Sequence, residues 1–143
     1  MFKKIMATDN AASTLLIRLM VGAVFFSEGI QKFLFPALRG AGRFENIGLP
    51  NPEFLGVFVG FFEIFCGLLV LAGLATRLAV IPLMVIMTVA LFTTKLPMLA
   101  DQGFWQMLHA ARTDYAMLLG LLFLLIRGSG AFSADRFFSR RPE

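Results

Sequence analysis

Between Phe54 and Leu74 the chain reads FLGVFVGFFEIFCGLLVLAGL, 21 residues with a single charge, Glu63. At about 1.5 Å of rise per residue this stretch makes a helix of roughly 31 Å, the thickness of a bilayer's hydrocarbon core. Gly56, Gly60, Glu63 and Gly67 recur at three- and four-residue steps and so share one helical face, with Phe and Leu on the others. Glycines on such a face let a neighbouring backbone approach closely, and they direct the acid into a bundle rather than into lipid. A membrane span with a packed, polar-centred face is the reading.

Composition extends that reading to the whole chain. With 143 residues, 58% of them hydrophobic and 15% charged, and a mean hydropathy of +0.79, the chain is too apolar for a soluble domain of this size. Residues 1–143 therefore read as a single membrane domain. The net charge of +4 would suit nucleic acid, but the basic residues sit at span boundaries, where they meet lipid headgroups and set orientation, so no nucleic-acid partner is expected. The one cysteine, Cys66, excludes an intrachain disulfide or dithiol chemistry. No cleavable signal peptide is expected, because Lys3 and Lys4 are followed by polar Thr8, Asp9 and Asn10 and then by an apolar run too long for one.

Four spans are predicted, at 11–35, 54–74, 78–94 and 108–126, which make an all-α, integral membrane, antiparallel four-helix bundle. Pro36–Glu53, rich in Gly and Pro, reads as turns. Ala75–Arg77 is a turn so short that spans two and three are neighbours. Pro82 falls near the start of span three, where its missing donor costs little. Lys95–Met107, with Pro97 and Trp105, reads as an interfacial segment. In the tail from Gly128, Phe132, Phe137 and Phe138 suit the membrane surface beside Arg136, Arg140 and Arg141. Seven Lys and Arg lie on the side of the termini and the 75–77 turn, against four on the other. The positive-inside rule then places both termini in the cytoplasm.

The order of several small motifs carries a resemblance. Span one has Arg18-x3-Gly22-x2-Phe25-x3-Gly29-x2-Lys32, and the loop has Gly48-Leu49-Pro50. Span two has Gly60-x2-Glu63-x3-Gly67-x5-Gly73, followed by Thr76-Arg77, Asp114 and the closing Gly128-Ser129-Gly130. Together these resemble the DoxX family of small bacterial four-helix membrane proteins, over nearly the whole chain. The resemblance implies a bacterial inner (plasma) membrane protein. It also implies kinship with subunits of thiosulfate:quinone oxidoreductases and with partners of redox and detoxification enzymes. It supplies no catalytic residue set.

Charges at membrane depth cost roughly 2.5–3.5 kcal/mol each at a helix centre, so they mark the candidate site. Arg18, Glu28, Lys32 and Glu63 form an expected interior polar cluster, joined at its outer end by Asp114 and Arg112. Glu28 and Lys32 stand four apart, the spacing of an acid–base pair along one helix. Glu63 has two candidate partners, Arg18 from below or Lys32 from above. The functional reading of the cluster is a site for a quinone carbonyl, a proton or an anionic substrate. The bland reading is that the charges neutralise one another and fix the packing. Arg77, with Thr76, is expected to cap the short turn and meet lipid phosphate. His109, the only histidine, reads as an interfacial anchor, Cys66 as a packed apolar residue, and Met84 and Met87 as gap fillers. Trp105 belongs to the aromatic belt, and Phe25, Phe58, Phe61, Phe62 and Phe65 to core or lipid contact.

There is no CxxC, no second histidine, and no Walker or Rossmann glycine pattern. No metal site and no intrinsic cofactor are expected, and unaided redox catalysis is disfavoured. Three roles stay open. One is an accessory or anchoring subunit that holds a redox enzyme at the membrane and offers a quinone site. Another is a small proton-coupled transporter or a lipid- or metabolite-binding protein. The third is a purely structural scaffold.

Overall fold

The computed structural model describes residues 8–139, and they are helical with no strand among them. Four helices are long and apolar enough to cross a membrane. The first, α1, spans Thr14–Leu34, and it stops at Phe35 because Pro36 cannot continue it. Two short helices follow, α2 (Pro36–Arg39) and α3 (Ala41–Asn46). The segment expected as turns is therefore largely helical. The second long helix, α4 (Pro52–Ala72), opens on a proline at its first position, where the lost N–H had no intrahelical partner.

From Thr76 the chain runs as a nearly unbroken helix to Gln102: α5 (Thr76–Ala90), a π turn (Leu91–Lys95) and α6 (Leu96–Gln102). The third helix long enough to cross is accordingly 27 residues long, not the 78–94 expected, and its helix continues through residues 95–102. Pro82 lies inside α5, not at its start. Gly103 breaks the helix, and α7 runs from Phe104 to Arg127, beginning earlier than the expected Leu108. A short α8 (Ala134–Ser139) ends the described chain. Lys3, Lys4, Arg140 and Arg141 lie outside the described residues.

The four long helices form an antiparallel ring, in which α1 packs on α4, α4 on α5, α5 on α7 and α7 on α1. One end carries the 73–75 turn and is the turn end; the other carries α2, α3 and Gly103 and is the loop end. The α1–α4 contact is the most extensive, and the sequence shows why. A Cβ at Gly29 would lie 2.8 Å from the Gly60 carbonyl oxygen, and one at Gly67 would lie 2.9 Å from the Phe26 nitrogen. Only glycine lets these backbones come so near. The buried apolar core is Val21, Phe25, Cys66, Val70, Ala79, Val80, Leu83, Met117, Leu121 and Leu124, with Met84 and Met87 packed against it. All of it sits in the turn-end half. Beyond Leu83 no residue of α5 or α6 is buried, and on α7 only Ala111 is buried before Met117. The outward faces, Phe58, Phe61, Phe65 and Trp105 among them, are exposed and suited to lipid.

Candidate functional site

The charges expected as one cluster divide into three groups. At the turn end, Arg18 of α1 is buried and points into the terminus of the bundle. Its Nε donates to the Val70 carbonyl (2.9 Å), Nη2 to that of Leu71 (2.6 Å), and Nη1 to those of Ser129 (3.0 Å) and Phe132. The last carbonyls of a helix are short of intrahelical donors; here the Val70 carbonyl takes one from the Gly73 N–H (3.1 Å), and a guanidinium with five donors in a fixed fork meets it and the Leu71 carbonyl at once. Arg18 therefore does not reach Glu63. Gly73 makes the arrangement possible: its φ of +67° turns the chain out of α4, and a Cβ there would lie 2.7 Å from the Arg18 guanidinium carbon.

Asp135 completes this end. Its Oδ1 accepts from the Ala75 N–H (2.6 Å) and its Oδ2 from that of Thr76 (3.2 Å), while its own N–H donates to the Gly73 carbonyl (2.9 Å). A carboxylate 60 residues distant in sequence thus meets the free N–H groups at the start of α5, where negative charge is favoured. Sequence reasoning missed Asp135, since nothing in its neighbourhood marks it as a cap for another helix. Thr76 was expected to share the capping, but its buried Oγ1 has no hydrogen-bond partner. Arg77 donates to the Ile126 carbonyl (2.8 Å) and so caps the end of α7 instead. The tail divides as well: Ser129 and Asp135 are buried in the bundle end, whereas Phe132, Phe137 and Phe138 are exposed.

The second group lies between α1 and α4 in the loop-end half. Lys32 Nζ stands 2.6 Å from Glu63 Oε2, and the two side chains are only 9% and 5% exposed. Of the two partners open to Glu63, the structure selects Lys32. The helix pairing explains this: the glycine contacts set Lys32 beside Gly60, one turn from Glu63. Glu28, expected to take Lys32 along α1, does not pair with it. Next to the pair, a cavity of about 100 Å³ opens among Lys32, Phe33, Pro36, Ala41, Glu53, Gly56 and Val57. The α2–α3 segment roofs it, with Ala41 packed so tightly that a Cβ on Gly56 would lie 2.8 Å from its nitrogen.

The third group is Lys95 and Asp114, 3.5 Å apart and partly exposed. The π turn carries Lys95 to α7, so Asp114 does not join Glu63. Arg112 is exposed and donates to the His109 carbonyl of its own helix (2.5 Å). His109 is itself exposed. Among the described residues, no three His, Cys, Asp or Glu side chains gather as metal ligands do.

Comparison with known proteins agrees with this architecture. The DoxX family model matches residues 13–96, from the start of α1 to the π turn, the stretch that holds Arg18, Lys32 and Glu63. A protein of Mycobacterium tuberculosis named uncharacterized membrane protein Rv3486 is 49% identical, over 96% of this chain and 88% of its own length. The protein of Bacillus subtilis named putative oxidoreductase CatD is 32% identical, over 87% of this chain and 85% of its own. No solved structure matches significantly. On the family match, the relatives and the four apolar helices together, the chain is a membrane protein that belongs to the DoxX family.

Proposed function

We propose that this chain is an accessory subunit of the bacterial inner membrane, holding a quinone-linked redox or detoxification enzyme at the bilayer. In this reading the termini are cytoplasmic, the loop end faces outward, and the Lys32–Glu63 site meets the quinone headgroup. The observation that carries the proposal is the Lys32–Glu63 ion pair, buried between two helices of membrane-span length beside a cavity. Intramembrane ionisable groups are expensive and tend to mark function, and replacing a buried ion pair by apolar residues is often neutral or stabilising. Two close-packed glycine faces would hold α1 and α4 together without it. The oxidoreductase name of the Bacillus subtilis relative supports the redox direction.

The residues fit the edge of a quinone ring. Phe33, Pro36 and Val57 supply apolar walls, Lys32 a donor and Glu53 an acceptor, and an ammonium has three N–H groups, so pairing with Glu63 leaves donors free. At about 100 Å³ the cavity takes the carbonyl edge, not the whole molecule. A bound quinone would supply two-electron acceptor chemistry; the protein's part is to orient it and hydrogen-bond one oxygen.

The test is binding of a short-chain naphthoquinone to the full chain in nanodiscs, followed by quinone reduction in a reconstituted complex with its co-purified enzyme. Lys32→Met is expected to weaken binding at least tenfold, and Glu63→Gln to slow reduction with the fold retained. Unchanged binding and reduction in both variants refute the site. Gradient-dependent solute flux in proteoliposomes without any enzyme would replace this reading with that of a transporter.

A further inference from the structure

The cavity beside Lys32 has a two-sided rim. Glu53, in the first turn of α4, is exposed at the edge nearer the helix end, and Val57, one turn further along, is exposed at the edge nearer the helix middle, together with Phe33 of α1. Val57 stands about 7.5 Å into α4 by helical rise, so its edge of the rim meets the lipid-facing side of a span-length helix. The Phe33 ring continues the wall. Its Cε2 lies 2.8 Å from the place a Cβ on Gly60 would take, so the ring covers the α4 backbone just beyond the cavity. At about 100 Å³ the cavity holds only the polar end of a ligand. Whatever is attached to that end leaves past Phe33 and Val57, onto the outside of α4.

That outside surface is a row of rings. Val57, Phe61, Phe65 and Leu68 follow one another at four- and three-residue steps, share one helical face and are all exposed. Phe61 and Phe65 stack with centroids 5.9 Å apart and planes 5° from parallel. Phe62 packs against the core; it meets Phe61 edge-on at 5.9 Å and Phe58 at 4.8 Å, and Phe58 stacks on Phe54 at 5.5 Å. The row is thus anchored to the bundle through Phe62, and a surface already ordered loses little freedom on binding. Contact with lipid by itself asks for no rings: the outward face of α5, with Leu78, Ile81, Val85 and Val89, is aliphatic.

We propose that the cavity is entered sideways from the bilayer, by an isoprenoid-tailed quinone whose carbonyl edge meets Lys32 and whose tail lies along Val57, Phe61 and Phe65. The head rests on the quinone reading given above; the tail site rests on the rim and the ring row. From Val57 to Leu68 that row extends about 16 Å by helical rise. Ring faces, negative at their centres, offer the C–H groups of an unsaturated, methyl-branched chain a surface that aliphatic walls do not. The direction fits as well. The head lies near the start of α4, beside Glu53, and the tail runs toward the middle of the span. An amphiphile dissolved in one leaflet already has that orientation, so it reaches the site without leaving the membrane.

Two measurements on the full chain in nanodiscs test it, with quinone expressed as mole fraction of lipid so that partitioning cancels. An isoprenoid-tailed naphthoquinone is expected to bind at least about tenfold tighter than the short-chain form. The Phe61→Ala, Phe65→Ala double variant should cut that ratio to under about threefold, whereas Ile81→Ala, Val85→Ala on α5 should leave it intact. The second measurement needs no variant: a tailed naphthoquinone carrying a diazirine in its tail should label the wild type at Phe61 and Phe65, and excess unlabelled tailed quinone should displace it. Equal affinity for the two quinones overturns the sideways entry and leaves the quinone reading standing; binding of neither overturns both. Labelling of this face by a diazirine phospholipid that the tailed quinone does not displace also overturns it, leaving ordinary lipid contact only. Circular dichroism on each variant separates a lost tail site from a lost fold.

Discussion

At the turn end, Arg18 gives its guanidinium to four main-chain carbonyls; at the loop end, Lys32 gives its ammonium to one carboxylate, that of Glu63. Carbonyls do not titrate in the physiological range and a guanidinium does not give up its proton, so the Arg18 network has one state. Lys32 instead meets a single side-chain carboxylate, as a compact point charge on a flexible stem. The surroundings match. Around Arg18 the core is continuous, and the tail is folded over it through Ser129 and Asp135. Around Lys32 the α5–α6 side contributes no buried residue beyond Leu83, and a cavity adjoins the charge. A buried charge is thus evidence of function only once its partners are known: the same cost is met by main-chain carbonyls in one half and by a side-chain ion pair in the other.

Substitutions can break or sharpen this contrast. Arg18→Met should have the largest effect, leaving buried carbonyls unpaired at a cost of at least about 3 kcal/mol; reversible unfolding in mixed micelles measures it, and a smaller loss than that of Lys32→Met would erase the distinction between the ends. Glu63→Leu strands the Lys32 ammonium and should cost about 2–3 kcal/mol, with much of the loss recovered in the Lys32→Met, Glu63→Leu double variant. No recovery in the double-mutant cycle would mean the pair is not coupled. Asp135→Ala removes the cap of α5 and should cost about 1 kcal/mol, with faster amide exchange at Ala75 and Thr76 as its local signature. Glu53→Gln, on an exposed side chain at the cavity mouth, should change stability by under about 0.5 kcal/mol while lowering naphthoquinone affinity.

Much of the architecture was legible because lipid imposes simple demands. Apolar runs of span length, short turns between them and glycines at three- and four-residue steps give four helices and mark the face of α4 on which a neighbour packs closely. The boundaries were less legible. Lys95 and Pro97 read as a break, yet a π turn carries the helix through them; Pro36–Glu53 reads as turns, yet it forms two short helices over the end of the bundle. Of the candidate site, the residues were visible and their partners were not. Spacing along α1 favoured Lys32 with Glu28, but the glycine register of α4 brings Glu63 to 2.6 Å. Asp135 carried no local signal at all, because what it caps belongs to another helix.

The sequence by itself determined that this is a four-span membrane protein of the DoxX family with ionisable groups at membrane depth, since hydropathy and glycine spacing are local properties that bilayer thickness and close packing read directly. Only the tertiary structure decided which charge meets which. Pairing depends on the relative height and rotation of two helices, and a shift of one residue turns each side chain by about 100°. Here backbone contact at Gly22, Gly29, Gly60 and Gly67 sets that register. It places Arg18 against the ends of the chain's own helices and Lys32 against Glu63.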